Sequence, residues 1–400
     1  MRILKVWDSE YPWDVRAEKV CLALTDLGHE VHMVARNRDR RILHERLDEC
    51  VIHRMSPLPV LGPLVDRASQ FPAFFNPRWT SLIRRNAIAC AADVILVRDL
   101  PLALAAIRIG RELRTPVVLD MAENYPAMIR DLWTTKSTKP GDVLIRNPRI
   151  VQAIERKVLR EIDHVVVVVE ESRDRLLSLG LDSGRISVVG NTPSVNRSTK
   201  YATERRYATE PNSMHLVYLG LMEEARGVGL AIQAVASARE RGAAITLDLI
   251  GDGRALPSFQ KQVRDLGLSE VIRFKGFVPY ETALGEVAQA DAGLIPHFGN
   301  ESWETTIPNK LFDYMSLGVP VIASDVTPVS RVLKETGAGL VFADRDADDF
   351  ARVLQSALND EDLMRMGKAG MEAVRSTYNW ERDVERLEEA LKCVSGVVPA

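Results

Sequence analysis

Two doubly wound α/β domains, each built on a mainly parallel sheet, are the fold that this 400-residue sequence predicts. Three observations carry the expectation. Short β-branched runs alternate with longer helical patterns, this rhythm occurs twice, and a polar stretch separates the two series. At about 150 residues per domain, the length also asks for two cores rather than one.

In the first half the expected strands are Ile3–Val6, Glu30–Val34, Val94–Val97, Val117–Asp120 and His164–Val169. The rhythm restarts with Leu216–Leu219, Ile245–Ile250, Val271–Phe274, Ala292–Pro296, Val319–Ala323 and Leu340–Phe342. Near-continuous apolar character suits strands covered on both faces. The stretch 191–213, rich in Thr, Arg and Glu, reads as an interdomain linker, and its echo Tyr201-Ala202-Thr203-Glu204 with Tyr207-Ala208-Thr209-Glu210 is too short for a solenoid. The expected domains are therefore 1–190 and 214–377, with a helix over 378–400 packing back toward the first. Ligands of such sheets bind beyond the carboxyl ends of the strands, so the crevice between the domains is the expected site.

Composition narrows the function classes. The chain is 46% hydrophobic and 27% charged, which excludes wholesale disorder, and its net charge of −3 is too balanced for a nucleic-acid binder. Residues 1–200 carry 31 Lys and Arg against 25 Asp and Glu (+6), and residues 201–400 carry 21 against 30 (−9), so the halves are expected to face different partners. Four scattered cysteines without CxxC spacing point away from disulfides and zinc and toward a reducing cytoplasmic setting. No run reaches the roughly 18 apolar residues of a spanning helix, and no signal-peptide core follows Met1.

Two segments stand apart from ordinary core. Phe71–Arg85 mixes aromatics, three arginines and two prolines, a composition open both to docking at an anionic lipid surface and to packing under the first domain. Ile129–Ile150 gathers Arg130, Lys136, Lys139, Arg146 and Arg149, as a lid or a solvated connector.

The most specific stretch is Thr305 to Ser324. Pro308 favours a helix start, Leu311, Phe312 and Met315 give that helix an apolar face, and Gly318 ends it before a buried strand. Amides at a helix start attract phosphate, and Asp313, read as one and a half turns in, is placed to accept sugar hydroxyls. Val217 to Gly229 follows the first strand of the second domain, where glycines allow a sharp turn and Arg226 offers a fixed charge to an oxyanion pair. Gly251-Asp252-Gly253 is a weak GxG that more often marks a tight turn.

These residues resemble the family 4 retaining glycosyltransferases of the GT-B fold, whose two Rossmann-like domains face across a cleft. The resemblance covers most of the chain and is strongest from Leu216 to Trp380. It rests on Gly28-His29-Glu30-Val31, Gly190-Asn191-Thr192-Pro193, Arg226-Gly227, Gly251-Asp252-Gly253, Gly276-Phe277-Val278 and Pro308 to Ser324, whose wording is most similar to enzymes of bacterial surface-polysaccharide synthesis. It implies a UDP- or GDP-sugar donor, a lipid-linked or glycan acceptor, retention of configuration, and no metal or other cofactor. The donor residues it implies are Arg226, Gly251, His297, Glu304, Thr305, Thr306, Asn309, Lys310 and Asp313. Asp313 takes the second acidic position of the family motif and Thr305 the first, where an acid is usual. Leu221 stands where an arginine is common, so Lys310 or the amides of Asn309 and Lys310 are expected to make up the missing charge.

In the first domain, the loop after the first strand reads Asp8 to Arg16 and is expected to meet the acceptor through Asp14 and Arg16. Arg98 and Asn124 lie at strand ends and are further acceptor candidates, and Glu123 is the expected catalytic carboxylate. The expected place of work is the cytoplasm, or the inner face of the plasma membrane. A nucleotide-sugar epimerase of the same fold and a non-catalytic partner subunit are the rival readings.

Overall fold

A computed structural model of the chain describes residues 1–58, 62–135, 147–195, 212–358 and 360–396. They form two compact units, Met1–Gly190 with Asp383–Ala400, and Asn191–Arg382. The basic residues Lys136, Lys139 and Arg146, and the echo at 201–210, lie outside the described residues.

The first unit holds an eight-stranded sheet in the order β3-β4-β2-β1-β5-β6-β7-β8. Its strands are β1 (Arg2–Val6), β2 (Glu30–Ala35), β3 (His44–Arg46), β4 (Val51–Arg54), β5 (Val94–Arg98), β6 (Val117–Met121), β7 (His164–Val167) and β8 (Ile186–Val188). All neighbours are parallel except β3 and β4. The sequence reading missed β3, β4 and β8. These strands, at or next to the sheet edges, are three or four residues long and mix polar with apolar side chains, so they lack the buried run by which the central strands are recognised. The run read as strand to Val169 ends at Val167, because Glu170 opens the helix Glu170–Ser178.

The second unit holds a six-stranded, fully parallel sheet in the order β11-β10-β9-β12-β13-β14. Its strands are β9 (Ser213–Leu219), β10 (Ala244–Ile250), β11 (Ile272–Gly276), β12 (Ala292–Ile295), β13 (Val321–Ser324) and β14 (Gly339–Phe342). Every strand expected in this half is present. Both sheets reverse their winding at the first strand: β1 lies between β2 and β5, and β9 between β10 and β12. Such switch points open a crevice at the carboxyl ends of the strands. The loops after β1, β5, β9 and β12 therefore reach the places where a ligand site belongs.

Phe71–Arg85 resolves into a 3-10 turn, Ala73–Phe75, and a helix, Pro77–Ala89, with Pro77 in the first turn and Asn76 capping it through the Arg78 amide. Trp79 is fully buried, under the Arg36 guanidinium, whereas Phe71 and Phe75 are exposed. Arg78 is bonded to Asp66, Ser69 and the Ser56 carbonyl, and Arg84 pairs with Glu112. Two of the three arginines thus serve the unit itself, and the packing half of the expectation describes Trp79. No helix among the described residues is long and apolar enough to cross a membrane.

Candidate functional site

In the second unit the chain leaves β9 through Gly220 and reaches Arg226 in the turn Glu224–Arg226. Gly227 follows in the left-handed region, at φ +69°, and a Cβ there would lie 1.7 Å from the Pro296 carbonyl oxygen just beyond β12. Only glycine permits that approach. It carries the Arg226 turn onto the end of β12, where the Phe298 amide donates to the Ala225 carbonyl at 3.1 Å.

Arg226 consequently meets His297, with Nη1 3.4 Å from Nε2. Its guanidinium carbon lies 4.5 Å from the Trp303 ring centre, and the His297 and Trp303 rings are themselves 4.5 Å apart. A cation on an indole face is held in plane as well as in place. His297 is buried, and desolvation, with Lys310 and Arg226 adding repulsion, holds its imidazole well below the usual histidine range, so it is neutral.

Lys310 opens the helix Lys310–Ser316. That helix is anchored by Tyr314, whose hydroxyl accepts from the Leu219 amide at 2.9 Å and whose ring lies against Gly293, where a side chain would collide with it. The anchorage places the Lys310 amine over the Tyr218 ring, 3.9 Å from its centre, and against Gly220. Lys310 is buried, and its Nζ has no hydrogen-bond partner among the described residues. Asp313, in the same first turn, accepts from the Tyr280 hydroxyl at 2.6 Å. One guanidinium and one buried amine without a hydrogen-bond partner among the described residues, with one carboxylate nearby, suit a polyanion better than a neutral ligand.

The structure corrects several local expectations here. The helix begins at Lys310 rather than at Pro308, whose carbonyl accepts from Leu311, so Asp313 lies in the first turn and not one and a half turns in. Thr305 is buried in a 3-10 turn and its hydroxyl donates to the Glu301 and Ser302 carbonyls. Glu304 accepts from the Thr327 amide at the start of the helix Thr327–Thr336. Asn309 is exposed and accepts from Asn191, and Thr306 is buried. At Gly251 a Cβ would lie 1.9 Å from the Gly220 carbonyl oxygen, so close packing of two loops, rather than a ligand, already requires glycine there. Leu221 is exposed and carries no charge into the site.

In the first unit the strand ends gather around Asp120. Arg16 donates to Asp120 from Nε and Nη2, at 3.1 and 2.8 Å, and from Nη1 to the Gly190 carbonyl. Lys5 lies 3.6 Å and Arg98 3.9 Å from the other carboxylate oxygen. Arg98 also meets Asp14 at 3.2 Å and the Trp7 ring at 5.3 Å. Arg16 is thus corrected from an acceptor contact to an internal tie, since it is only 3% exposed and all three of its nitrogens are engaged inside the unit. Asp14 and Asn124 cap helices through the Ala17 and Ala127 amides, and Asn124 is buried. Glu123 alone of this set presents an exposed side chain. Asp99, beside Arg98, sits at φ +58°, tied by its own amide to the Asp120 carbonyl and by its carboxylate to the Ala122 amide. Burial pushes its carboxyl up to about 6 against the pull of Arg98. Among the described residues no group of three or more His, Cys, Asp or Glu is arranged to hold a metal ion.

Two family models match the chain, a glycosyl transferase 4-like domain over residues 14–192 and glycosyl transferases group 1 over residues 213–360. The chain belongs to the family 4 glycosyltransferases. The fold of this family 4 member is GT-B: it superposes on the Anabaena HepE protein in complex with UDP with a TM-score of 0.73 over 98% of this chain and all of that one, at 14% identity. Sucrose-phosphate synthase from Thermosynechococcus elongatus superposes at 0.72, covering 99% of this chain and 100% of that one at 16% identity. In sequence, the D-inositol 3-phosphate glycosyltransferase of Corynebacterium kroppenstedtii is 24% identical over 66% of this chain and 63% of its own length. The amylovoran biosynthesis glycosyltransferase AmsK of Erwinia amylovora is 22% identical over 54% of this chain and 53% of its own. These matches therefore span about half to two thirds of the curated relatives.

Trp303, Tyr218, Tyr280, Lys5 and Asp120 are the members of the two clusters that the family 4 pattern did not reveal. Trp303 precedes Thr305 by two residues, yet nothing in spacing says that its ring turns toward Arg226. A pocket of about 560 Å³ between the helices Val228–Glu240 and Leu256–Asp265, lined by Leu230, Gln233, Gln262 and Phe298 among others, includes neither Arg226, His297 nor Lys310.

Proposed function

We propose that this chain is a retaining hexosyltransferase that moves a sugar from a UDP- or GDP-sugar to a lipid-linked or glycan acceptor of a cell-surface polysaccharide. The observation that carries the reading is Arg226, held on the Trp303 face beside the buried Lys310 at the β9/β12 switch point. Negative charge builds on the departing diphosphate as the glycosidic bond breaks, and the fixed Arg226 guanidinium, beside an amine that the bound diphosphate favours as an ammonium, stabilises it. The Asp313 carboxylate, oriented by Tyr280, is the ribose acceptor in this reading. The relatives named for inositol phosphate and amylovoran support glycosyl transfer to polyol and polysaccharide acceptors, and the UDP bound to HepE supports the donor class. With Arg226 and Lys310 supplying positive charge, donor binding and turnover are expected to persist in chelator. The exposed Phe71 and Phe75 support contact with a membrane surface on the cytoplasmic side.

The test is a thermal-shift screen against UDP, GDP, ADP and their sugars in EDTA. A ligand at about a hundred times its Kd stabilises the native state by ~2.7 kcal/mol, a rise of several degrees in Tm. A shift with UDP or GDP is expected, and none with any nucleotide overturns the donor reading. A rate that collapses in chelator and returns with Mg²⁺ overturns the metal-free mechanism.

Glu123 is the proposed acceptor-side base, because it is exposed at the end of β6 next to the charged cluster. Glu123→Gln is expected to lower kcat by about 10²–10⁴-fold with little change in donor KM. Wild-type turnover in that variant would remove Glu123 from the mechanism.

A further inference from the structure

We propose that binding of the nucleoside diphosphate is coupled to uptake of one proton, and that the proton goes to the Lys310 amine. The inference rests on the donor site proposed above and extends it to that site's change of charge on binding. Its basis is geometric. Lys310 is 8% exposed, and its Nζ finds no hydrogen-bond acceptor among the described residues, only the Tyr218 ring 3.9 Å away and the backbone of Gly220. An ammonium group removed from water without an acceptor is among the most costly states a side chain can adopt, and losing the proton is the ordinary escape.

The charged and titratable groups around it come from five elements. Arg226, from the turn after β9, is a permanent cation, and Tyr218 on β9 offers only its ring face and donates its hydroxyl to the Leu221 carbonyl. His297, beyond β12, is neutral. On its own helix Tyr314 accepts from the Leu219 amide, and Asp313, the one anion of the group, is already bonded by Tyr280 of the helix Tyr280–Val287. Desolvation, with Arg226 repelling and Asp313 opposing more weakly, holds the Lys310 amine well below the ordinary lysine range. Before the diphosphate binds, the site therefore carries one fixed cation, Arg226, and a neutral amine.

A nucleoside diphosphate reverses this balance. It brings at least two negative charges next to Arg226 and supplies phosphate oxygens as acceptors, so the ammonium form of Lys310 becomes the favoured one. The step balances simply: the buffer acid gives up a proton, the Lys310 nitrogen lone pair takes it, and no other bond changes. By linkage, affinity then falls as pH rises, by up to tenfold per unit where the amine is neutral in the free protein and charged in the complex.

The experiment is calorimetric titration of the full chain with UDP and with GDP near pH 8.3, where the terminal phosphate, which ionises at about 6, no longer changes its proton count. Runs in bicine and in Tris, whose ionisation enthalpies differ, give the number of protons taken up per nucleotide. About one proton is expected for the wild type and none for Lys310→Met, which keeps the length of the side chain and removes the base. Binding whose enthalpy is the same in both buffers overturns the inference and leaves the donor reading standing. Uptake that persists in Lys310→Met overturns the assignment to that amine. Absence of binding by either nucleotide overturns the donor reading and this inference together. The wild-type comparison needs no variant, so a folding defect in Lys310→Met does not protect the proposal.

Discussion

Replacing Arg226 by alanine is expected to lower kcat by about 10²–10³-fold, the usual loss when one fixed donor to a developing oxyanion is removed, or ~2.7–4 kcal/mol of transition-state stabilisation. The effect belongs at the upper end because the neighbouring position does not share the load: Leu221 is exposed and uncharged where the family commonly has a second arginine. Arg226→Lys is expected to recover little. The guanidinium carbon lies over the Trp303 ring with one nitrogen at His297, and a lysine ammonium on its flexible stem does not reproduce both contacts at once. Steady-state kcat and KM with the donor identified by thermal shift, alongside an unfolding curve, check this. A kcat within a few fold of wild type in a folded Arg226→Ala would remove this residue from the chemistry.

The second large effect is on stability. Asp120→Asn is expected to destabilise the first unit by about 3–5 kcal/mol, the usual cost of removing one partner from a buried charge cluster. Lys5, Arg16 and Arg98 converge on that carboxylate, and all four residues are buried. Asparagine keeps the shape and leaves three cations with Asp14 and Asp99 as the remaining acids of the cluster. The pH dependence has a definite sign. Burial raises the Asp120 pKa, but Arg16, Lys5 and Arg98 together outweigh it, so the folded-state value lies well below the unfolded one of about 3.9. The stabilisation is therefore fully present above pH ~4 and is lost as pH falls through the lower, folded-state value. Urea unfolding at neutral pH and through the acid limb should show a large loss for Asp120→Asn at neutrality and a shallower acid limb than wild type. Equal stability of the two proteins at pH 7 would contradict the account.

The second unit was the more legible of the two because β9 and β10 run to seven residues and β9, β10, β12 and β13 are largely buried, so these strands left apolar runs. The short strands β3, β4 and β8, at or next to the edges of the first sheet, left none. Arg226 was readable because it follows a strand in a glycine-rich turn, and Gly227 bears that out with a backbone approach that admits no side chain. Arg16 was misread for the opposite reason. A cation in the loop after a first strand is compatible with a ligand and with a buried counter-ion, and its partner Asp120 lies 104 residues away.

From the linear pattern came the two α/β units, the position along the chain of the central strands, the family, and the places where turns meet strand ends. These depend on local periodicity and on turn chemistry, which a linear pattern carries. It took the three-dimensional arrangement to bring Trp303 to Arg226, to turn Thr305 back on the Glu301 and Ser302 carbonyls, to bury Lys310 without an acceptor among the described residues, and to set Arg16, Lys5 and Arg98 around one carboxylate. Those outcomes depend on which side chains the sheet order brings together, and burial sets the energy of a charge by its neighbours in space rather than in sequence.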